Sequence, residues 1–380
     1  MELGLFMMPV HRPDKPWAQA LEEDRQAVIE ADRLGFSEVW IGEHFSTRAE
    51  QIPAPMMLFA SVLEQAPNVR FGTGVVNLPH HNPIVVAAEA AMLDQISGGR
   101  FMLGVGPGGL ASDGELFGNE DMPERYRIAL EEIDMILELW RADPPFRIEG
   151  KHWKAAIEKK VWAHGGVGYL TRPRQTPHPP IALAMVGPGG PTAEYIAERD
   201  FIPISANFVP VENVEAQWQA YAAARERAGK PADPAIWRVA RNILVTDSEA
   251  RARDELADPD ATFAYYFRYL KGARRLAEGG HIDPDMTPGE LNRTLGVAEA
   301  IEQCAIAGTA DQVLERLVAL VDRLGPFGHL IMVGHDFDGT ELWTSSMRRL
   351  KRDVMPKLAQ HAAAKAKKKP AGGARVNARG

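Results

Sequence analysis

Residues 69–109 read VRFGTGVVNLPHHNPIVVAAEAAMLDQISGGRFMLGVGPGG. A β-branched run from Arg70 to Val76 predicts a strand, Pro83 opens a helix, Gly98 and Gly99 stop it, and Phe101 to Val105 predicts a second strand. Strand, helix and strand in that order make a parallel crossover. Both strands run out into residues that carry no bulk or tolerate unusual backbone: Gly74, Asn77, Gly104, Gly106, Gly108 and Gly109. A flat ligand has room to lie against the main chain there.

The alternation continues on both sides. Further β-like runs fall at Leu3–Met7, Glu38–Ile41, Ile181–Met185, Phe201–Ile204, Trp237–Val245 and Leu330–Val333, with helical segments between them. In the first helix Trp17, Leu21, Val28, Ala31 and Leu34 share one face, which predicts a buried stripe. Eight β-then-α units predict an α/β fold, a (β/α)8 TIM barrel, and 380 residues suit one such barrel of about 250 residues plus insertions. The insertions are residues 142–179, rich in Trp, Gly and Pro, and residues 247–328, which carry the aromatic run Phe263 to Tyr269. Long insertions in such barrels commonly cover the active-site face, and both are expected to do so.

Composition narrows the partners. The net charge is -8, yet the last twenty residues hold six Lys and Arg and no acid, which leaves -14 on residues 1–360. An acidic body disfavours nucleic acid. The basic end, residues 358–380, is expected to be a disordered tail beside a domain spanning 1–357. Cys304 is the single cysteine, which excludes an intrachain disulfide and fits a reducing cytoplasm. No run approaches the ~20 apolar residues needed to span a bilayer, so a membrane location is not expected.

Barrel enzymes place their chemistry just after the strands. After the second run stand Gly42, Glu43, His44 and Phe45. By position alone His44 is either a hydrogen-bonded structural residue or an acid/base group. After the third, Gly74-Val75 either thins the strand or admits an unusual peptide. After the fourth, Gly104 to Gly109 superficially match a dinucleotide fingerprint, but Leu-Ala-Ser-Asp-Gly follows where a helix is wanted. After the fifth, Met185-Val186-Gly187-Pro188-Gly189-Gly190-Pro191-Thr192 leads straight into a helix, a junction whose amides attract anions. Metal catalysis is not expected, because His80-His81 and His335-Asp336-Phe337-Asp338 lack a recognised ligand spacing.

These residues, and nearly all of 1–357, resemble the bacterial luciferase-like flavin monooxygenase family. The resemblance implies the barrel, and it implies that His44, the first His of a Glu-His-His motif whose second His is here Phe45, is the catalytic acid/base. It places a non-proline cis peptide at Gly74-Val75 against the flavin and a phosphate-contacting arginine at Arg125. A second family arginine is replaced by Pro107, and a family serine by Gly187, which leaves the main chain and Thr192 at the phosphate. The implied cofactor-binding set is Gly74, Val75, Asn77, Gly106, Arg125, Met185, Val186, Gly187 and Thr192. The implied activity is a two-component monooxygenase: a separate NAD(P)H:flavin reductase supplies FMNH2, and one oxygen atom of O2 passes to a small organic substrate through a flavin C4a-(hydro)peroxide. The family also implies a homodimer. The alternatives are a deazaflavin (F420)-dependent oxidoreductase on the same barrel, and a non-catalytic flavin-binding relative.

Overall fold

The computed structural model describes residues 1–336 and 340–368. Eight parallel strands form the barrel: β1 Glu2–Met7, β2 Glu38–Ile41, β3 Arg70–Thr73, β4 Phe101–Gly106, β5 Ile181–Met185, β6 Ile202–Ser205, β7 Arg238–Val245 and β8 His329–Val333. Each pairs with the next, and Leu3 of β1 faces Leu330 of β8, which closes the ring. The strands lie within one residue of their expected bounds except β3, which ends at Thr73; the chain turns at Gly74-Val75 and rejoins β4 as the short pair Val76–Asn77.

Inward-facing residues fill the barrel. Trp40, Met102, Ala182, Ile202, Ala240, Ile331 and Val333 pack on its axis, so the interior is a core and not a pore. At the N-terminal ends of the strands a polar plug closes it: Glu38 accepts from Trp40 Nε1 at 2.8 Å and from the Arg238 guanidinium at 3.2 and 3.0 Å. Burial alone would push the Glu38 carboxyl up, but the Arg238 charge outweighs it and holds it below the usual range.

The outer layer consists of α1 Trp17–Arg33, α2 Pro55–Ala60, α3 Pro83–Ile96, α4 Ala111–Leu116, α5 Met122–Leu139, α6 Pro191–Glu198 and α7 Val211–Arg227. It continues with α8 Glu249–Ala257, α9 Thr262–Ala277, α10 Pro288–Leu295, α11 Val297–Cys304, α12 Ala310–Leu324, α13 Thr340–Arg349 and α14 Met355–Lys368. The stripe expected on α1 is corrected at its start. Trp17 is exposed, and the buried face is the small-residue row Ala20, Ala27, Val28 and Ala31 with Asp24. The disordered tail is corrected over residues 358–368. There α14 buries Leu358 and Ala362, and His361 and Lys365 each reach the Asp322 carboxylate on α12 at 2.9 Å. Residues 369–380 lie outside the described residues.

The two insertions go to opposite places. Residues 142–179 connect α5 to β5 and therefore enter at the N-terminal ends of the strands. Gln175 bonds Asp94 near the end of α3 and the Phe101 carbonyl at the start of β4, and the antiparallel hairpin Phe146–Glu149/Lys154–Ile157 lies along α5. The expectation that this insertion caps the active-site face is overturned by that connectivity. Of residues 247–328, which follow β7, α9 lies at the C-terminal ends, bonded to the loops after β1, β2 and β6, whereas α12 packs on the outside of the barrel. The insertion also contains a strand that sequence pattern did not reveal, Ala305–Gly308, paired with the far half of β7.

Candidate active site at the C-terminal ends of the strands

The loops after β2, β3 and β4 are fastened to one another by carboxylates. Glu43, buried behind β2, accepts from the Asn77 amide at 3.0 Å and lies 2.9 Å from Nε2 of His81, while Asn77 Nδ2 donates to the Glu43 carbonyl at 2.9 Å. This clamp fixes the turn that begins with a cis peptide between Gly74 and Val75, at the expected position. The approach is close enough that only glycine fits nearby. A Cβ on Gly104 would fall on the Thr73 carbonyl oxygen, and one on Gly42 would meet Met8. Gly106 faces Val75, with 3.0 Å between its virtual Cβ and the valine Cγ2.

His44 stands at the end of β2 between two acids. Its Nδ1 lies 3.0 Å from Asp113 Oδ2, and its Nε2 lies 3.4 Å from Glu50 Oε2. Burial by itself would lower the imidazolium's pKa, but the Glu50 charge and the Asp113 hydrogen bond outweigh it, so His44 holds its proton above the usual pH. Asp113 also accepts from the Ser46 amide at 2.9 Å and from the Ser46 hydroxyl. Burial opposes its ionisation, yet these donors and His44 keep its carboxyl below the usual range. Asp113 sits in the first turn of α4, where a negative charge is favoured by the helix dipole. The expectation that no helix follows the glycine loop is thereby corrected: α4 starts at Ala111, two residues after Gly109.

Arg125 is not a surface residue. It projects from the first turns of α5, is 4% exposed, and its Nε and Nη1 have no hydrogen-bond partner among the described residues. Burial lowers the guanidinium's pKa, against the nearby Asp113 and Asp121 charges. Its neighbours are α4, where a Cβ on Gly114 would come within 3.1 Å of Nη1, and His80, both of whose ring nitrogens are likewise without a hydrogen-bond partner among the described residues. A buried cation with idle donors is costly unless an anion completes it. The next residue, Tyr126, reaches Thr192 Oγ1 at 3.1 Å and so ties α5 to the start of α6. Before α6 the chain is open. Met185 is buried at the end of β5, Val186 and Gly187 are exposed, and a Cβ on Gly187 would meet nothing within 4 Å.

The barrel mouth is walled by Phe6, Gly74, Val75 and Ile204, each half-buried, and by Ala184, which is exposed although it lies in a strand. Over it runs α9. Tyr265 donates to the His11 carbonyl at 2.9 Å, Tyr266 accepts from Asn207 at 2.6 Å, and Tyr269 donates to Glu50 at 2.8 Å. The aromatic run Phe263 to Tyr269 thus ties α9 to the loops after β1, β2 and β6. Beside it, His11, Glu23 and Asp336 bring ligand atoms together, but the Lys15 ammonium sits between Glu23 at 2.7 Å and Asp336 at 2.6 Å. His335 and Asp336 are thus engaged in the fold; Phe337 and Asp338 of the same motif lie outside the described residues.

The structure thus gathers His44, Gly74, Val75, Asn77 and Gly106 on one side of the mouth, and links the Arg125 region to Thr192 through Tyr126. It adds two carboxylates that sequence reasoning did not single out, Glu50 and Asp113, and gives Glu43, the acid of the Glu-His-His motif, a clamping role that the motif alone did not indicate.

Known proteins resemble the chain along nearly its whole length. The chain is 29% identical over 368 residues to 4-hydroxyprotoasukamycin monooxygenase of Streptomyces nodosus subsp. asukaensis, covering 94% of this chain and 92% of that one. It is 27% identical to limonene 1,2-monooxygenase of Rhodococcus erythropolis, covering 94% and 86%. Among solved structures, the oxygenating constituent of 3,6-diketocamphane monooxygenase from Pseudomonas putida, a type II Baeyer-Villiger enzyme in complex with FMN, superposes with a TM-score of 0.78 at 24% identity over 94% of this chain and 98% of that one. The luciferase-like monooxygenase profile matches residues 1–326, and the chain belongs to that family of flavin-dependent monooxygenases.

Proposed function

We propose that this monooxygenase takes FMN reduced by a separate NAD(P)H:flavin reductase and transfers one oxygen atom of O2 to a small organic substrate. The observation that carries the FMN reading is Arg125: a buried guanidinium with two idle nitrogens fits a phosphate monoester, and the structural neighbour from Pseudomonas putida holds FMN. Reduced flavin, when bound, supplies the electrons that activate O2. The chain's own residues do the rest. Arg125, the backbone N–H groups of Gly187, Gly189, Gly190 and Thr192 and the Thr192 hydroxyl hold the phosphate end, helped by the α6 dipole. Gly74, Val75, Asn77 and Gly106 present bare main chain to a planar ring, Met185 and Val186 border it, and α9 keeps water from the mouth. His44 delivers or removes the proton that oxygen transfer requires.

Arg125→Ala is expected to weaken FMN binding roughly tenfold or more while leaving riboflavin affinity unchanged, since a charge-assisted contact contributes ~1.5 to 3 kcal/mol. Fluorescence titration with both flavins reads it. Equal loss for both would place Arg125 away from the phosphate, and tighter binding of reduced F420 than of reduced FMN would move the assignment to the deazaflavin oxidoreductases.

We also propose a homodimer. Met57 on α2 and Val85, Met92 and Ile96 on the adjacent α3 are 50 to 74% exposed and form an apolar face of the kind that monomers rarely leave open. Met92→Glu combined with Ile96→Glu should yield a folded monomer in sedimentation equilibrium. A double variant that still sediments as a dimer places the interface elsewhere.

A further inference from the structure

The loop after β2 and the insertion after β7 meet at one carboxylate. Glu50 is buried, and its Oε2 receives the Tyr269 hydroxyl of α9 at 2.8 Å, with Thr47 Oγ1 3.1 Å from the same hydroxyl. That same Glu50 oxygen lies 3.4 Å from His44 Nε2. On the other side of the ring Asp113 accepts from His44, two backbone amides and a serine hydroxyl. The two acids therefore differ in kind. Asp113 is surrounded by donors that favour its charged form and serves to orient the imidazole. Glu50 is enclosed with a single phenol donor, and its burial pushes the carboxyl up despite the His44 charge.

We propose that Glu50 is a positioning residue for His44 that shares the imidazolium proton, and that Tyr269 couples this sharing to the seating of α9 over the barrel mouth. The step is a proton transfer alone. The Nε2 proton of the imidazolium passes to Glu50 Oε2, leaving a neutral imidazole and a neutral carboxyl, and the return transfer restores the charged pair. The charge on Asp113 does not change. The groups facing His44 are Glu50 from its own loop, Asp113 from α4 and Glu43 from the end of β2; those facing Glu50 are His44, Tyr269 and Asp113. Because Tyr269 lies on the insertion that walls the mouth, a shift of α9 would remove the hydrogen bond that favours the ionised form of Glu50, and His44 would lose proton affinity with it.

The idea rests on His44 as the acid/base group, but its test needs no flavin and no substrate. The His44 ring is titrated by NMR in the full-length, histidine-labelled protein. Glu50→Gln, which removes the charge at constant volume, is expected to lower the proton affinity of His44 at least tenfold, one unit on the pH axis. Tyr269→Phe should shift it in the same direction by a smaller amount. If Glu50→Gln melts earlier yet leaves the His44 titration unchanged, Glu50 is only a packing residue and the proposal falls. Should Glu50→Gln not fold, Tyr269→Phe decides alone: a shift in the stated direction supports the coupling and an unchanged titration overturns it. A normal titration response in a protein that never oxygenates any compound would sink the monooxygenase mechanism for His44 and leave the coupling standing.

Discussion

Replacing His44 by alanine is expected to cut oxygenated product by ~10² to 10⁴-fold while reduced FMN still binds within a fewfold of the native affinity. The separation of the two effects follows from the geometry. His44 stands at the end of β2, oriented by Asp113 at 3.0 Å, whereas the donors proposed for the phosphate sit on α5 and around the start of α6. If reduced flavin is the group held here, loss of the imidazole would leave its reactivity toward O2 in place but remove the proton that His44 would supply, so hydrogen peroxide should rise as product falls. Measuring both together, once a substrate is in hand, distinguishes lost chemistry from lost binding. Native coupling in the alanine variant would reduce His44 to a structural partner of Asp113. A pH dependence should accompany the role. With the pKa raised by Glu50 and Asp113, the charged form persists above the ordinary histidine range and is lost only as pH rises past it.

How much of this was legible in the sequence depended on distance along the chain. The crossover through residues 69–109 was readable because strand period, Pro83 and the Gly98-Gly99 stop are all local signals. His44 was legible as a candidate because it stands close after a strand end, but position alone left it between a structural and an acid/base role, and only the family resemblance favoured the second. Asp113 was not, since it is 69 positions from His44 and sits in a six-residue helix containing Ser112 and Gly114, which intrinsic propensity argues against. The fastening of the loop after β2 by Asp113 supplies what propensity lacks. Ala305–Gly308 was missed for a related reason: a four-residue Ala-Ile-Ala-Gly strand has no pattern of its own and is defined by β7 alongside it. The placing of residues 142–179 was an error of topology and not of information. A segment that leaves a helix and enters a parallel barrel strand must approach the N-terminal end, and chain order alone said so. On α1 the stripe holds at Val28 and Ala31 and fails at Trp17, because the first turn faces solvent and Ala20, Ala27 and Ala31 let the helix approach the barrel closely.

The largest stability effect is expected at Glu132, where sequence gave no warning. It lies two turns along α5 from Arg125, is 0% exposed, has no donor in good hydrogen-bonding geometry among the described residues, and faces the Trp153 side chain as the one polar group that favours its charged form. The amides of Lys151, His152 and Trp153 in the adjoining hairpin all go to Glu131 instead. Burial pushes the Glu132 carboxyl up to about 8. A carboxyl raised in the folded state keeps a proton that the unfolded chain releases at about pH 4.3, so its stability is fully present below that pH and is lost as pH rises through about 8. A shift of this size, at about 1.4 kcal/mol per unit, corresponds to on the order of 5 kcal/mol. Glu132→Met, apolar and of similar volume, should therefore be more stable than the native chain by on the order of 4 kcal/mol at pH 8.5 and by about 1 kcal/mol at pH 5. His11, whose pKa is raised to about 9 because Asp24 and Asp336 outweigh its burial, also loses stability as pH rises, but it does so in both proteins. The difference between their urea-unfolding curves at the two pH values isolates Glu132. Parallel pH dependence in the two would show that Glu132 is solvated or partnered in solution, and that the hairpin packs less closely on α5 than the structure has it.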